Sequence, residues 1–190
     1  MKLSPAFHLH LSDSNTEKKF HEYVKLIGKP KSFKKGRVII RQGASPSFFF
    51  YINSGVFKTY FTANDRQYII GFTFAGDVDC CPSSLLSDKP NNFSIEAVTD
   101  SEVLICELRD FRNACTEQEY LLLINALLVK YLGVVENRMA DSISLTAEQR
   151  YRQLLKMQQD KIKQISLKNI AAYLGITLER LSRIRKKIKV

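Results

Sequence analysis

Between Ser32 and about Leu108 the apolar residues fall in short runs, each interrupted within a few positions by Gly, Pro, Asn or Asp. That pattern predicts strands at Ser32–Phe33, Arg37–Arg41, Phe48–Asn53, Gly55–Thr62, Gln67–Phe74, Phe93–Ala97 and Glu102–Glu107. Turns are expected at Lys35–Gly36, Gly43–Ala44, Asn53–Gly55, Asn64–Asp65, Gly76–Asp77 and Lys89–Asn92. Six or more short strands at this spacing imply a closed antiparallel barrel or roll. The aromatic run Phe48–Tyr51 is expected to pack its core rather than stack on bases, because it lies outside the basic region. Ahead of the strands, Thr16–Ile27 places Phe20, Tyr23, Val24 and Ile27 on one side of a short helix.

Beyond Asp110 the period becomes helical. Phe111–Glu119 reads as a short helix or its lead-in, and Glu119–Ser144 as one long helix. Leu121, Ile124, Leu128, Tyr131 and Val135 trace a seam, while Leu127, Leu132, Val134 and Met139 widen the apolar face. A helix so apolar is expected to pack one side on the roll and the other on its copy in a two-fold dimer. The alternative is the buried central helix of a monomer. Thr146-Ala-Glu-Gln149 is a capping box that starts a new helix, Ala147 to about Gln158, leaving a hinge at Ser144–Thr146. The expected architecture is therefore α+β. It comprises a roll domain over 1–115, a dimerisation helix over 116–145 and a DNA-binding domain over 146–190.

The ending, LKNIAAYLGITLERLSRIRKK, has helix-turn-helix spacing. Ala171, Leu174, Leu181, Ile184 and Ile188 occupy the faces that would bury, and Gly175 supplies the turn with a positive φ. Thr177 offers an N-cap hydroxyl to the second helix. The opposite face of that helix carries Glu179, Arg180, Ser182, Arg183, Lys186 and Lys187. Glu179 and Arg183 are one turn apart, and Arg can bridge guanine O6 and N7 while Glu accepts from cytosine N4. The plainer explanation is a set of cations matching the helix dipole.

Charge distribution favours a polyanion partner. Residues 146–190 hold 12 Lys or Arg against 3 Asp or Glu, whereas the first 145 hold 17 against 16, so nearly all of the +10 sits in the final quarter. An acidic membrane surface is a weaker candidate, because helix packing uses the apolar positions. The most apolar window, Leu121–Val135, has 12 apolar positions in 15 and includes Lys130, which is short of the roughly 20 residues a span needs. No signal-peptide run opens the chain, so a cytoplasmic protein is expected. Cys80, Cys81, Cys106 and Cys115 form no CxxC pair, and His8, His10 and His21 are scattered, so neither metal nor cofactor is expected. Without a nucleophile elbow, a phosphate-cradling loop or an HExxH, no catalytic residue is expected either. Asp77 and Asp79 have a turn-capping explanation.

Four motifs carry a family resemblance: K-K-G-x-x-I-x-x-x-G from Lys34, F-A-G-D from Phe74, S-x-T-A-E-x-R-Y-x-x-L-L from Ser144 and I-A-x-Y-L-G-I-T-x-E-x-L-S-R-I-R-K-K from Ile170. With the element order they resemble the Crp–Fnr transcription regulators, in particular the short Crp-like branch of Bacteroidetes-type bacteria. The resemblance implies a cyclic-nucleotide-type roll and a homodimer on an inverted-repeat operator, with RNA polymerase as a further partner of an activator. It assigns base reading to Leu178, Glu179, Ser182 and Arg183. Leu178 stands where many relatives have Arg, which implies a different operator. Phosphate contacts fall to Lys168, Thr177, Arg180, Arg185, Lys186, Lys187 and Lys189. Only Lys189 and Val190 follow Ile188, so the usual β-hairpin wing is not expected. The implied effector pocket is Gly76, Asp77, Cys80, Cys81, Asn91 and Asn92. Because no Arg occurs between Arg66 and Arg109, a cyclic phosphate would lack its charge-assisted partner, and binding of cyclic AMP is not expected. The effector is left open. The alternative reading is a ligand- or redox-sensing module that acts on a protein partner without operator binding.

Overall fold

The computed structural model describes residues 14–87 and 89–188. Helix α1 (Ser14–Ile27) leads into eight strands: β1 (Lys29–Phe33), β2 (Val38–Ile40), β3 (Phe48–Ser54), β4 (Val56–Ala63), β5 (Arg66–Phe74), β6 (Val78–Asp79), β7 (Ser94–Ala97) and β8 (Ser101–Glu107). Helix α2 (Pro82–Ser87) interrupts them after β6. Then come α3 (Leu108–Ala114), α4 (Glu117–Ser144), α5 (Ala147–Ile162), α6 (Leu167–Leu174) and α7 (Leu178–Ile188). The seven expected strands are all present. Two elements were not anticipated, β6 and α2. The short helix lies earlier than expected, at α3, because Cys115–Thr116 turns extended to cap α4.

The strands form two four-stranded antiparallel sheets, ordered β1-β8-β3-β6 and β2-β7-β4-β5. Alternation along each strand gives every sheet two apolar faces. Phe50, Ile52 and Val103 of the first sheet meet Ile40, Phe57, Ile95 and Ala97 of the second, which makes the inner core. Phe49 and Cys106 point the other way and are covered by Phe20 and Val24 of α1, Phe111 of α3 and Leu123, Ile124 and Leu127 of α4. The aromatic run at 48–51 is therefore core, as expected.

Outward residues of the second sheet need a cover too. Val56, Tyr60, Ile69, Phe72 and Phe74 share one apolar cluster with Tyr151 and Leu154 of α5, Ile170, Ala171 and Leu174 of α6, and Leu181 and Ile184 of α7. The Phe72 and Tyr173 rings lie 5.6 Å apart, Tyr173 packing against this cluster. The helix-turn-helix is thus docked on the roll through a common core.

Local caps explain the helix boundaries. Thr116 Oγ1 accepts from Glu119 N–H while the Glu119 carboxylate accepts from Thr116 N–H, starting α4. Thr146 and Gln149 repeat the box at the start of α5, with Thr146 N–H donating to Gln149 Oε1 at 2.8 Å. Leu145 between them is extended, which makes the expected break in the helix. By length and composition the 28-residue α4 could cross a membrane, a test the shorter 15-residue window did not meet. One face of it, Leu123, Ile124 and Leu127, is buried against the roll and α1.

At the β3–β4 corner, Gly55 has φ +96, and a Cβ there would collide with the Ser101 side chain and lie 2.8 Å from Asp100 O. Gly55→Ala should therefore lower stability by more than about 2 kcal/mol in urea unfolding, since neither the left-handed backbone nor the contact can relax cheaply.

Candidate nucleic-acid interface and effector cavity

The turn between α6 and α7 is built from main-chain hydrogen bonds. Gly175 adopts φ +69; its N–H donates to Ala172 O (3.2 Å) and Ile176 N–H donates to Ala171 O (3.0 Å). This satisfies carbonyls that the end of α6 would otherwise leave open. Thr177 Oγ1 accepts from Arg180 N–H at 3.2 Å and so caps α7. Leu181 and Ile184 are buried, and Ile188 packs partly against them. Leu178, Glu179, Arg180, Ser182, Arg183, Lys186 and Lys187 are exposed on the other side. The Glu179 carboxyl is held below the ordinary range first by its own backbone N–H, then by the Thr177 hydroxyl and the Arg183 charge. Glu179 and Arg183 thus share one electrostatic neighbourhood, as their spacing predicts.

The phosphate candidates divide. Lys168 is exposed on the first turn of α6, and Thr177, Arg180, Lys186 and Lys187 are exposed around α7. Lys187 also pairs with Glu148 of α5 at 2.9 Å. Arg185 departs from expectation: it is half-buried, and its Nε is buried without a hydrogen-bond partner. Position 185 follows the inward Ile184 around the helix, so its stem turns toward the core. Lys189 lies outside the described residues.

The expected seam on α4 needs a larger correction. Ile124 faces the roll, and Leu128 and Tyr131 are half-buried, leaving only Leu121 and Val135 exposed. The open apolar stripe runs instead through Leu122, Val129, Leu132, Met139 and Ile143, at heptad spacing with Asn125 and Glu136.

Between the roll and α4 lies a cavity of about 610 Å³. Cys80, Cys81 and Asn92 line it as the resemblance implies. Gly76, Asp77 and Asn91 do not. Gly76 forms the turn, with φ +94. Asp77 is buried and accepts from Phe74 N–H at 2.8 Å. The Asn91 amide donates to Arg41 O and Ala44 O at 3.0 and 2.8 Å, tying down the loop after β2. The signal available was only the turn composition around Gly76 and Asn91, and those residues shape the wall from behind.

Two cavity residues were not assigned to the pocket: Asp79, which was given a turn-capping explanation, and Arg138. Asp79, on β6, accepts from Thr73 Oγ1 (2.8 Å) and Cys80 N–H (2.9 Å). Burial nonetheless raises its carboxyl to about 7, with the Asp77 charge adding to the shift. Arg138, on α4, donates through Nη2 to Ile69 O on β5 (3.1 Å) and Tyr173 O on α6 (3.4 Å), and its guanidinium lies 4.0 Å from the Tyr173 ring centre. Burial lowers its proton affinity. Burial, reinforced by the Asp79 charge, also pushes the Cys81 thiol up to about 12 and the Cys80 thiol well above its ordinary value. Burial of this kind disfavours the thiolate, the nucleophilic form.

Asp79 also sets a pH dependence. The folded chain holds this proton more tightly than the unfolded chain, whose carboxyl titrates near 3.8. Its stabilising contribution is therefore greatest below that value and is lost as pH rises through about 7. Asp79→Asn, which cannot ionise, should gain on the native chain between about pH 4 and about pH 8 by up to about 4 kcal/mol in chemical denaturation.

Residues 30–118 match the cyclic nucleotide-binding domain family. No curated protein matches the sequence. Among solved structures, FixK2 from Bradyrhizobium japonicum is 21% identical with a TM-score of 0.73, over 86% of this chain and 85% of that one. A CooA mutant from Carboxydothermus hydrogenoformans is 18% identical at 0.71, covering 96% and 88%. TTHB099, a CRP-family transcriptional regulator from Thermus thermophilus, is 17% identical at 0.66, covering 84% of each. Residues 30–118 thus match the cyclic nucleotide-binding domain family, and the chain as a whole shares the fold and element order of these solved structures.

Proposed function

We propose that the chain is a homodimeric, sequence-specific DNA-binding transcription regulator of the cytoplasm, with a sensor domain that does not use cyclic AMP. The observation that carries this reading is α7. Its inward residues are consumed by the core, while Leu178, Glu179, Ser182 and Arg183 stand exposed beside the cations Arg180, Lys186 and Lys187. A helix of this kind fits the major groove, with its N-terminal half against base edges and the cations on phosphates. Dimerisation follows from the apolar stripe of α4, which a lone subunit would leave in water. Two-fold pairing there would set the recognition helices on half-sites about 34 Å apart, or a multiple of that. An activator would also meet RNA polymerase. The neighbour TTHB099 is itself described as a transcriptional regulator.

Loss of cyclic AMP binding is argued from the cavity. Among the described residues its lining includes no cation from the roll; Arg138, on the long helix, is the one present. A cyclic phosphate against the roll wall would lose the charge-assisted bonds that make such sites bind. The alternative of a redox module acting on a protein partner is not favoured, since burial disfavours the thiolates of the cavity cysteines and the basic helix is exposed.

Selection of bound fragments from random DNA tests the reading directly, and an inverted repeat should emerge. On that site, Arg183→Ala should cost about 1–3 kcal/mol and relax preference at one base pair. Lys187→Ala should weaken all sequences alike and flatten the salt dependence by about one unit per subunit. Equal losses for both variants on specific and random DNA would overturn the division of labour.

For the dimer, Val129→Glu with Leu132→Glu should yield a monomer by light scattering while retaining the far-ultraviolet spectrum, since both side chains are exposed. Specific DNA binding should be lost with it. A native chain that is monomeric at micromolar concentration would overturn the arrangement.

A further inference from the structure

The cavity and the helix-turn-helix share one side chain. Arg138 reaches them both, lining the cavity and bonding the carbonyl of Tyr173 in the last turn of α6. Tyr173 lies two residues before the Gly175 turn that aims α7. Arg150 of α5 secures the next carbonyl, Leu174 O, at 3.0 Å. The C-terminal end of α6, where carbonyls lack helical partners and cations are favoured, is therefore held by two arginines from outside the motif.

The chemistry of the cavity points to an occupant. Its volume falls in the range of roughly 300–1,000 Å³ typical of small-molecule sites. Ile70, Phe72, Phe93, Val134, Val135 and Met139 give it mainly apolar walls. Among the described residues, Arg138 is the only cation and Asp79 the only acid in its lining. Asp79 titrates near neutrality, so it readily gives up its charge and leaves the guanidinium as the fixed one. An anion buried here finds a charged donor; a nucleotide would leave the polar edges of base and ribose against apolar walls.

We infer that this cavity takes a small apolar monoanion, of the aryl or medium-chain carboxylate class, whose charged end is held by Arg138 in competition with Tyr173 O. This rests on reading the roll as a sensor, but not on operator binding. A carboxylate offers Arg an opposite charge and a bidentate pair of acceptors, which a single neutral carbonyl does not, and the Tyr173 bond is long at 3.4 Å. Occupancy therefore draws Arg138 toward the cavity and loosens α6 from α4. Asp141, whose Oδ1 is buried without a hydrogen-bond partner, acts electrostatically on both Arg138 and Tyr173, so the remaining charge at the junction changes when Arg138 turns away. The anion site is thus on the long helix rather than on the roll.

The test uses the full chain without DNA, so that it stands or falls separately from operator binding. Titration calorimetry compares phenylacetate and octanoate with 2-phenylethanol and octanol, and with cyclic AMP. The carboxylates should bind about tenfold or more tightly than the matching alcohols. Arg138→Gln should abolish that preference, and Arg138→Lys, which keeps the charge if the first variant does not fold, should retain part of it. Saturating phenylacetate should speed hydrogen exchange at the Gly175 and Ile176 amides of the native chain but not of Arg138→Gln. Equal binding of acids and alcohols, tighter binding of cyclic AMP, no binding of any probe, or a preference that survives Arg138→Gln would overturn the ligand assignment. Unchanged exchange on saturation would overturn the competition with Tyr173.

Discussion

The second sheet has two apolar faces, and nothing in the roll itself covers the outer one. Phe72, Phe74, Tyr60 and Val56 would stand in water were α5, α6 and α7 not laid over them. Each such side chain contributes about 1.5–3 kcal/mol when buried, so the cover is strongly held. The helix-turn-helix is thus the missing wall of the roll's sandwich, and its own apolar residues share one core with the sheet. Leu181 and Ile184, the inward residues of α7, belong to that same cluster. The orientation of α7 is consequently inherited from the sheet, and any change that reshapes the sheet's outer surface reaches it through contact alone.

Polar groups at this junction give that apolar contact its direction. Hydrophobic burial is indifferent to small rotations, whereas hydrogen bonds to Tyr173 O and Leu174 O are not. Arg138 and Arg150 supply them from two different helices, on either side of the extended Leu145. Burying a guanidinium is costly unless its donors are matched, so the site tolerates few arrangements. A junction of this kind favours discrete positions over a continuum, which is the property a switch requires.

Much of this was legible in the chain and some was not, for reasons that differ by residue. Alternating apolar residues disclosed the long strands, and Gly175 with Thr177 disclosed the turn, because each leaves a local signature. The two-residue β6 is too short to show a period, and α2, at six residues, is scarcely longer. On α4 the spacing identified apolar faces but not which one meets the roll. Ile124 and Leu122 are equally apolar in sequence, and only the sheet's position tells them apart. Asp77 and Asp79 pose the same difficulty. Both are buried acids two residues apart, yet one closes a turn through Phe74 N–H and the other meets Thr73 at the cavity wall. Arg138 was least legible of all, a single cation on a long mixed helix whose partners come from residues 69 and 173.

That placement changes what an effector could accomplish. An anion bound through the roll alone would stabilise the roll and leave the junction as it was, since a ligand shifts only an equilibrium whose two states it distinguishes. Arg138 sits on the element that ends at Leu145, within two turns of the break, and it already bonds the motif. Occupancy that recruits it must differ in energy between docked and loosened arrangements. Linkage then works in both directions: whatever factor the occupant imposes on DNA affinity, DNA imposes on the occupant. The roll has no arginine between Arg66 and Arg109. Arg138, on the long helix, instead joins the cavity to the helix-turn-helix, a connection that a cation on the roll would not make.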